Sequence, residues 1–256
     1  MKTCTVTDLV HLVDEIAPFE LAEEWDNVGL LQGYRSAEVH HVLVALDITE
    51  AVVREAVEKD CQCIVTHHPF MFRPVQRITD ETREGRIMLE LARCGIAHIA
   101  AHTNLDAAPG GVNDSLLARV GAVNIRGEGC LRVGDINPVS FGSLCRHIAL
   151  ELGAEVRTYG DPDRVCRVIG CCSGAGSDEY HEAMKLGADC FLTGEVRHNV
   201  ALDALDDGCL MIEAGHYETE RIICPVLAES LQNRLNELEY NVLVYCSDQN
   251  LAGRKE

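Results

Sequence analysis

The sequence predicts an α/β protein with largely parallel strand pairing, and three observations carry that reading. Short apolar, β-branched runs alternate with segments of helical period along most of the chain. Glycine-rich or capped turns separate these segments at short intervals. With 256 residues the chain has material for one large domain or two compact ones. Two α/β halves are expected, residues 1–125 and 126–256, with an approximate boundary and no convincing internal repeat.

The elements follow in order. Val6, Leu9, Val10, Val13 and Ile16 recur at helical spacing, so Met1 to Pro18 reads as an amphipathic helix. Glu23 to Gly29 is a polar loop around the only tryptophan, Trp25. Val39 to Leu46 reads as a strand, and Asp47-Ile48-Thr49-Glu50 has capping-box spacing that opens a helix to about Lys59. Cys61 to Thr66 is the next strand and ends in His67-His68-Pro69, where proline blocks a helix and holds His68 extended. A loop with Phe70, Phe72 and Pro74 leads to a helix from about Glu81 to Arg93 and a strand from Ile96 to Ala101. Pro109-Gly110-Gly111 turns the chain, and Asn113 or Asp114 is placed to cap a helix reaching Val120.

Gly121 to Asn137 is rich in glycine and charge without a period, and the boundary is placed there. Beyond it come a helix from Phe141 to Leu152 and strands at Glu155 to Thr158 and Val165 to Cys171. The turn Ser173-Gly174-Ala175-Gly176-Ser177 then enters a helix to Leu186. Cys190 to Thr193 is a strand, Asn199 to Asp206 a helix and Leu210 to Glu213 a strand. A long helix from His216 to about Leu238 and a strand from Tyr240 to Cys246 complete the pattern, and the helix is free to pack back on the first half. The polar tail after Gln249 reads as frayed.

A formal net charge of −19 argues against binding nucleic-acid backbone or anionic membrane, while leaving room for a local basic pocket. No run approaches the roughly 18 apolar residues of a membrane span. Asp8, Asp14 and Glu15 interrupt the N-terminal segment, which is not a secretory signal, so a cytoplasmic protein is expected. Thirteen cysteines without Cys-x-x-Cys spacing then read as free thiols, with Cys190, Cys209 and Cys246 in apolar runs. Cys61-x-Cys63 and Cys171-Cys172 read as core packing before metal or redox pairs.

The chemistry-bearing groups follow strand ends, where open α/β sheets keep their ligand crevices. His67 and His68 close one strand, and His102 and Asp106 follow another, with His98 a second imidazole able to line the same pocket. His216 and Glu220 stand four apart on a helix, on one face and about 6 Å from each other. Taken singly, these are ordinary surface pairs, turn residues and caps. Together, three imidazoles and two carboxylates (His67, His68, Asp106, His216, Glu220) suit Zn, Fe, Mn, Co or Ni better than Ca or Mg. Five ligands exceed the usual catalytic zinc shell and favour two ions. Glu195, in Thr193-Gly194-Glu195-Val196-Arg197-His198, is placed as a proton shuttle or an acceptor behind a ligand, and Arg197 or His198 as an anion partner. The Gly174-Ala175-Gly176 turn satisfies neither the dinucleotide nor the P-loop pattern and reads as a tight turn before a phosphate cradle.

His67-His68-Pro69-Phe70, Asn104-Leu105-Asp106, Thr193-Gly194-Glu195-x-x-His198 and Gly215-His216-Tyr217-x-Thr219-Glu220 resemble the motifs of the GTP cyclohydrolase 1 type 2 homologues, also described as Nif-three-like dinuclear-metal proteins. Glu24-Trp25-Asp26-Asn27-x-Gly29-Leu30 resembles that family's N-terminal signature. The resemblance implies two three-layer α/β domains of related topology, a dinuclear metal site in the cleft between them and a homohexameric ring. It implies His67, His68, Asp106, His216 and Glu220 as ligands, and short members without an inserted domain. The expected function is a metal-dependent hydrolase acting on a small GTP-like nucleotide, with Glu195, His198 or His102 moving protons. The alternatives are a nucleotide phosphohydrolase and a non-catalytic metal-binding or regulatory scaffold.

Overall fold

Four parallel strands and one antiparallel edge make the first sheet, in the order Leu243–Cys246, His41–Ala45, Cys63–Thr66, Ala97–Ala100, Gly29–Gln32. The computed structural model describes residues 2–248. Cys63–Thr66 and Ala97–Ala100 are buried at every position, as central parallel strands covered on both faces must be. Leu43, Ala45 and Ile64 form a core with Val52, Val53 and Ala56 of the helix Glu50–Glu58 and Ile87 and Leu91 of Arg83–Cys94. The helix Ile223–Glu237 packs on His41–Ala45, Leu243–Cys246 and the helix Val6–Ile16. These elements, from the described residues up to Ala108 and from Ile223 to Asp248, form one compact unit, and Pro109 to Ile222 form another.

The second unit holds a sheet in the order Val123–Arg126, Arg132–Ser140, Val165–Cys171, Cys190–Thr193, Leu210–Glu213, Arg157–Tyr159. Only the three strands from Val165–Cys171 to Leu210–Glu213 run parallel; the others pair antiparallel. Phe191 and Leu192, consecutive on one strand, fall in different apolar clusters, so both faces of this sheet are covered. Helices Val112–Arg119 and Phe141–Leu152 supply Leu116, Phe141 and Ile148 to one cluster. Tyr180–Lys185 and His198–Asp206 supply Tyr180, Ala183 and Val200 to the other.

The α/β class stands, and the largely parallel pairing is corrected: both larger sheets are mixed, the first with one antiparallel edge, Gly29–Gln32, and the second with antiparallel strands at both edges. Two of the antiparallel strands, Val123–Arg126 and Arg132–Ser140, lie largely in the stretch read as aperiodic. Gly134 and Pro138 break the alternation there, while the neighbouring strand Val165–Cys171 supplies the order. The long helix is two, His216–Glu220 and Ile223–Glu237. Pro225 lacks an N–H and would clash with the carbonyl of Arg221, so the helix cannot run through that turn. Thr49, not Asp47, caps the helix Glu50–Glu58, accepting from Val52 N at 3.1 Å. Neither Asn113 nor Asp114 is an N-cap: Gly111 holds that place, Asn113 accepts from Ser173 N at 2.8 Å, and Asp114 takes Arg132 Nε at 2.7 Å. The tail after Gln249 lies outside the described residues.

All thirteen cysteines are free, and Cys190 and Cys209 are core residues, while Cys246 is partly buried. Burial pushes the Cys61 thiol up to about 11 and the Cys145 thiol to about 12, so both stay protonated at neutral pH. No described helix is long and apolar enough to cross a membrane.

Candidate metal centre

In the first unit the histidines converge because of strand register. Thr66 pairs with Ala100 in adjacent parallel strands, so His67 and His102 emerge side by side from the C-terminal ends. One ring nitrogen from each of His67, His68 and His102 lies within 4.8 Å of the other two. His67 is buried and its neighbours half-buried, so the cluster is reachable from solvent. Asp106, on the short helix Thr103–Ala107, brings Oδ1 to 3.7 Å from His67 Nε2. Asn104 shapes this corner, accepting from His102 N at 2.8 Å and donating to Ala17 O at 2.7 Å.

Each of the three imidazoles is oriented through Nδ1. That atom of His67 lies 2.9 Å from Ala101 O, that of His68 2.9 Å from Asp47 Oδ1, and that of His102 2.9 and 3.0 Å from the Asp26 carboxylate oxygens. A carbonyl or carboxylate oxygen only accepts, so each Nδ1 carries the proton and a neutral ring keeps its lone pair on Nε2. This is the tautomer a metal-ligating histidine needs, with the outer oxygen fixing ring angle and basicity. Asp26 is held further by Thr103 N at 3.0 Å and Thr103 Oγ1 at 2.6 Å. Burial pushes the Asp26 carboxyl up, but the hydrogen bonds from His102 and Thr103 outweigh it and hold the group well below the usual carboxylate range.

His98 has another task. Its Nε2 lies 2.7 Å from Thr66 Oγ1, whose own proton goes to His68 O at 2.8 Å, so Nε2 must be the donor. The ring is wholly buried, and burial pushes its pKa down to about 3, which keeps it neutral. It supports the backbone of His68 from within the sheet.

The second unit repeats the placement. Thr193 and Glu213 pair in parallel strands, and beyond them come Gly194-Glu195 and Gly215-His216. His216 and Glu220, on the helix His216–Glu220, set Nε2 and Oε2 3.1 Å apart, and Glu195 Oε1 stands 2.8 Å from His216 Nδ1. His216 is therefore oriented as the first three histidines are. Glu220 is buried and Glu195 exposed. His198 is exposed at the first position of its helix, and Arg197 is engaged by Asp178.

The glycine-rich turn is the floor of this pair. A Cβ on Gly174 would stand 2.3 Å from Glu220 Oε1 and 3.1 Å from His216 Nε2, and one on Gly194 would stand 2.6 Å from Gly174 O and 2.8 Å from His216 Cα. Gly174 N donates to Thr219 Oγ1 at 3.2 Å and its carbonyl accepts from Glu195 N at 2.8 Å. The segments of Gly174 and Gly194 close on His216 there without side chains of their own, which leaves room for the imidazole and the carboxylate.

The donor chemistry of both units fits borderline divalent cations: imidazole Nε2 atoms beside carboxylates, with outer oxygens behind the rings. Sequence reasoning did not give Asp47 or Asp26 its orienting role. Its capping-box spacing reads Asp47 as a helix cap, and Asp26 lies 76 residues from the histidine it holds. A cavity of about 110 Å³ opens beside His68, with Asp47, Phe70, Arg83 and Ile87 among its walls. Arg83, its one cation, donates to Ile48 O at 2.9 Å.

Comparison with known proteins gives the family. The family described as Duf34/NIF3 (NGG1p interacting factor 3) matches residues 4–251. A GTP cyclohydrolase 1 type 2 homolog of Clostridium acetobutylicum is 32% identical over 96% of each chain. The NIF3-like protein 1 of Drosophila melanogaster is 31% identical over 90% of this chain and 85% of its own. The crystal structure of a hypothetical protein from Staphylococcus aureus superposes with a TM-score of 0.95 at 30% identity, covering 100% of both chains. A full-length match at this identity, with histidines and carboxylates at the strand ends, places the chain in the NIF3 family of GTP cyclohydrolase 1 type 2 homologs.

Proposed function

We propose that the chain is a dinuclear-metal-dependent hydrolase of small nucleotide-like substrates, with His67, His68, Asp106, His216 and Glu220 holding two ions drawn from Zn, Fe, Mn, Co or Ni. The observation that carries this is the common orientation of four imidazoles, each with Nδ1 against an oxygen of Ala101, Asp47, Asp26 or Glu195. Bound ions would supply Lewis acidity and a water acidified towards neutrality. The protein's own groups do the rest. Asp47, Asp26 and Glu195 fix ring angles, and Asp106 and Glu220 balance cationic charge. His102, Glu195 and His198 are the groups placed to take or give protons, His102 from within the triad and the other two from exposed positions.

The substrate class comes from relatives named as GTP cyclohydrolase 1 type 2 homologs. On a GTP-like purine, one water would add at C8 and break the C8–N9 bond to leave a formamide on N7, and a second water would cleave that formamide, releasing C8 as formate and N7 as an amine. A phosphate ester suits the same donors, which makes phosphohydrolase chemistry the neighbouring reading. Free thiols throughout and a formal charge of −19 support a cytoplasmic protein that binds neither nucleic acid nor membrane. A homohexamer is proposed with it, on the family likeness.

The test is incubation of metal-loaded protein with GTP, reading formate and free phosphate separately. Asp106→Ala or Glu220→Ala is expected to cut turnover by at least a thousandfold while the assembly persists. Unchanged activity in either variant would refute the reading, and retained metal with neither product would leave a non-catalytic scaffold.

A further inference from the structure

Trp25 and Phe72 stand beside the histidine triad with no chemistry yet assigned to them. Their ring centroids are 5.6 Å apart at 62°, and each lies 6.3 Å from the His102 ring, at 76° and 82°. Both are open to solvent, Trp25 at 59% exposure and Phe72 at 49%. Exposed aromatic area of this kind is costly, and here it belongs to the only tryptophan of the chain.

The exposure is built in. Asp26 turns inward to His102 and Thr103, and Asn27 Nδ2 donates to Met71 O at 2.7 Å. Trp25 and Phe72 are the residues next to these anchors, so the backbone that carries each ring is tied down although neither ring is buried. The 62° angle is that of an edge-to-face pair and not of a stack, so the two rings do not bury one another, and the surface each leaves open to solvent is available to a third ring.

We propose that Trp25 and Phe72 form a ring-binding subsite for a planar heteroaromatic substrate whose reacting part lies at His67, His68 and His102. The proposal rests on the hydrolase reading for the identity of the site and adds the ligand class and the residues that select it. A stacked base on an aromatic side chain contributes roughly five- to 150-fold in affinity, about 1–3 kcal/mol. The two rings offer area for one heterocycle, and their contact with His102 aligns that heterocycle with the triad.

Because Trp25 is the sole indole, its emission reports the subsite directly. Metal-loaded protein would be titrated with guanosine monophosphate, nicotinate and ribose 5-phosphate. The expected result is saturable quenching by at least one ring compound and none by ribose 5-phosphate. Phe72→Ala should weaken that binding about tenfold and raise KM with little change in kcat, Phe72→Tyr should restore it, and metal content should be the same in all three proteins. Absence of saturable quenching by both ring compounds, equal quenching by ribose 5-phosphate, or unchanged binding in Phe72→Ala would overturn the proposal. So would emission that ignores ligands but shifts on dilution, which would assign the pair, with the exposed Ile78 of the same loop, to contact with a second copy. Quenching without formate or phosphate release would sink the hydrolase reading and leave the subsite standing; turnover without quenching would do the reverse.

Discussion

Replacing Gly174 by alanine is expected to lower divalent-metal affinity by about 10–100-fold, the range seen when the support of a metal ligand is lost. Two effects separate cleanly. The residue sits at φ +56°, where any side chain costs about 1–2 kcal/mol, and its new Cβ would stand 2.3 Å from Glu220 Oε1. The carboxylate must move, and with it the partner of His216 Nε2, 3.1 Å away. Gly129 supplies the control: it has the same φ of +56° and nothing within 4 Å of a Cβ. Gly129→Ala should therefore share the backbone cost and leave metal binding untouched. Isothermal titration with Zn or Mn on both variants reads the difference, and equal affinities in the two would mean that Gly174 shapes no site.

Asp26→Ala should be the most damaging change behind the first cluster, with a loss of about 3 kcal/mol in folding stability and loss of the His102 orientation. The carboxylate accepts from His102 Nδ1, Thr103 N, Thr103 Oγ1 and Asn27 N, and all four donors are stranded when it goes. The pH dependence has a definite sign. A carboxyl held below its ordinary value in the folded chain contributes stability that is fully present above about pH 4 and is lost as pH falls through the folded value. Urea melts of the wild-type chain should therefore lose stability below about pH 4, and Asp26→Ala should flatten that part of the curve while being weaker at pH 7. A variant as stable as wild type at pH 7 would contradict the role given to Asp26.

How much of this was legible in the sequence depends on the range of the interaction. His67 and His68 were readable because the strand and Pro69 are local features, and His216 and Glu220 because i, i+4 spacing is a property of any helix. The central strands announced themselves as continuous apolar runs. What was hidden is set by distant partners. Asp26 reaches His102 across 76 residues and Asp47 reaches His68 across 21, and no local pattern reports either. Arg132–Ser140, interrupted by Gly134 and Pro138, becomes a strand only because Val165–Cys171 pairs with it. The break after Glu220 was readable in principle, since Pro225 forbids a continuous helix, but the apolar period on either side masked it. Gly174 reads as a turn by composition, and only in the folded chain does Glu220 occupy the space of its missing side chain.

Metal content is the most direct measurement of the central claim that these imidazoles and carboxylates hold a pair of divalent cations. Protein purified without chelator or affinity nickel should carry close to two equivalents of transition metal per chain, falling to one or none in His67→Ala and in Glu220→Ala. A chain that binds no such metal, or that keeps its full load in both variants, would contradict the account.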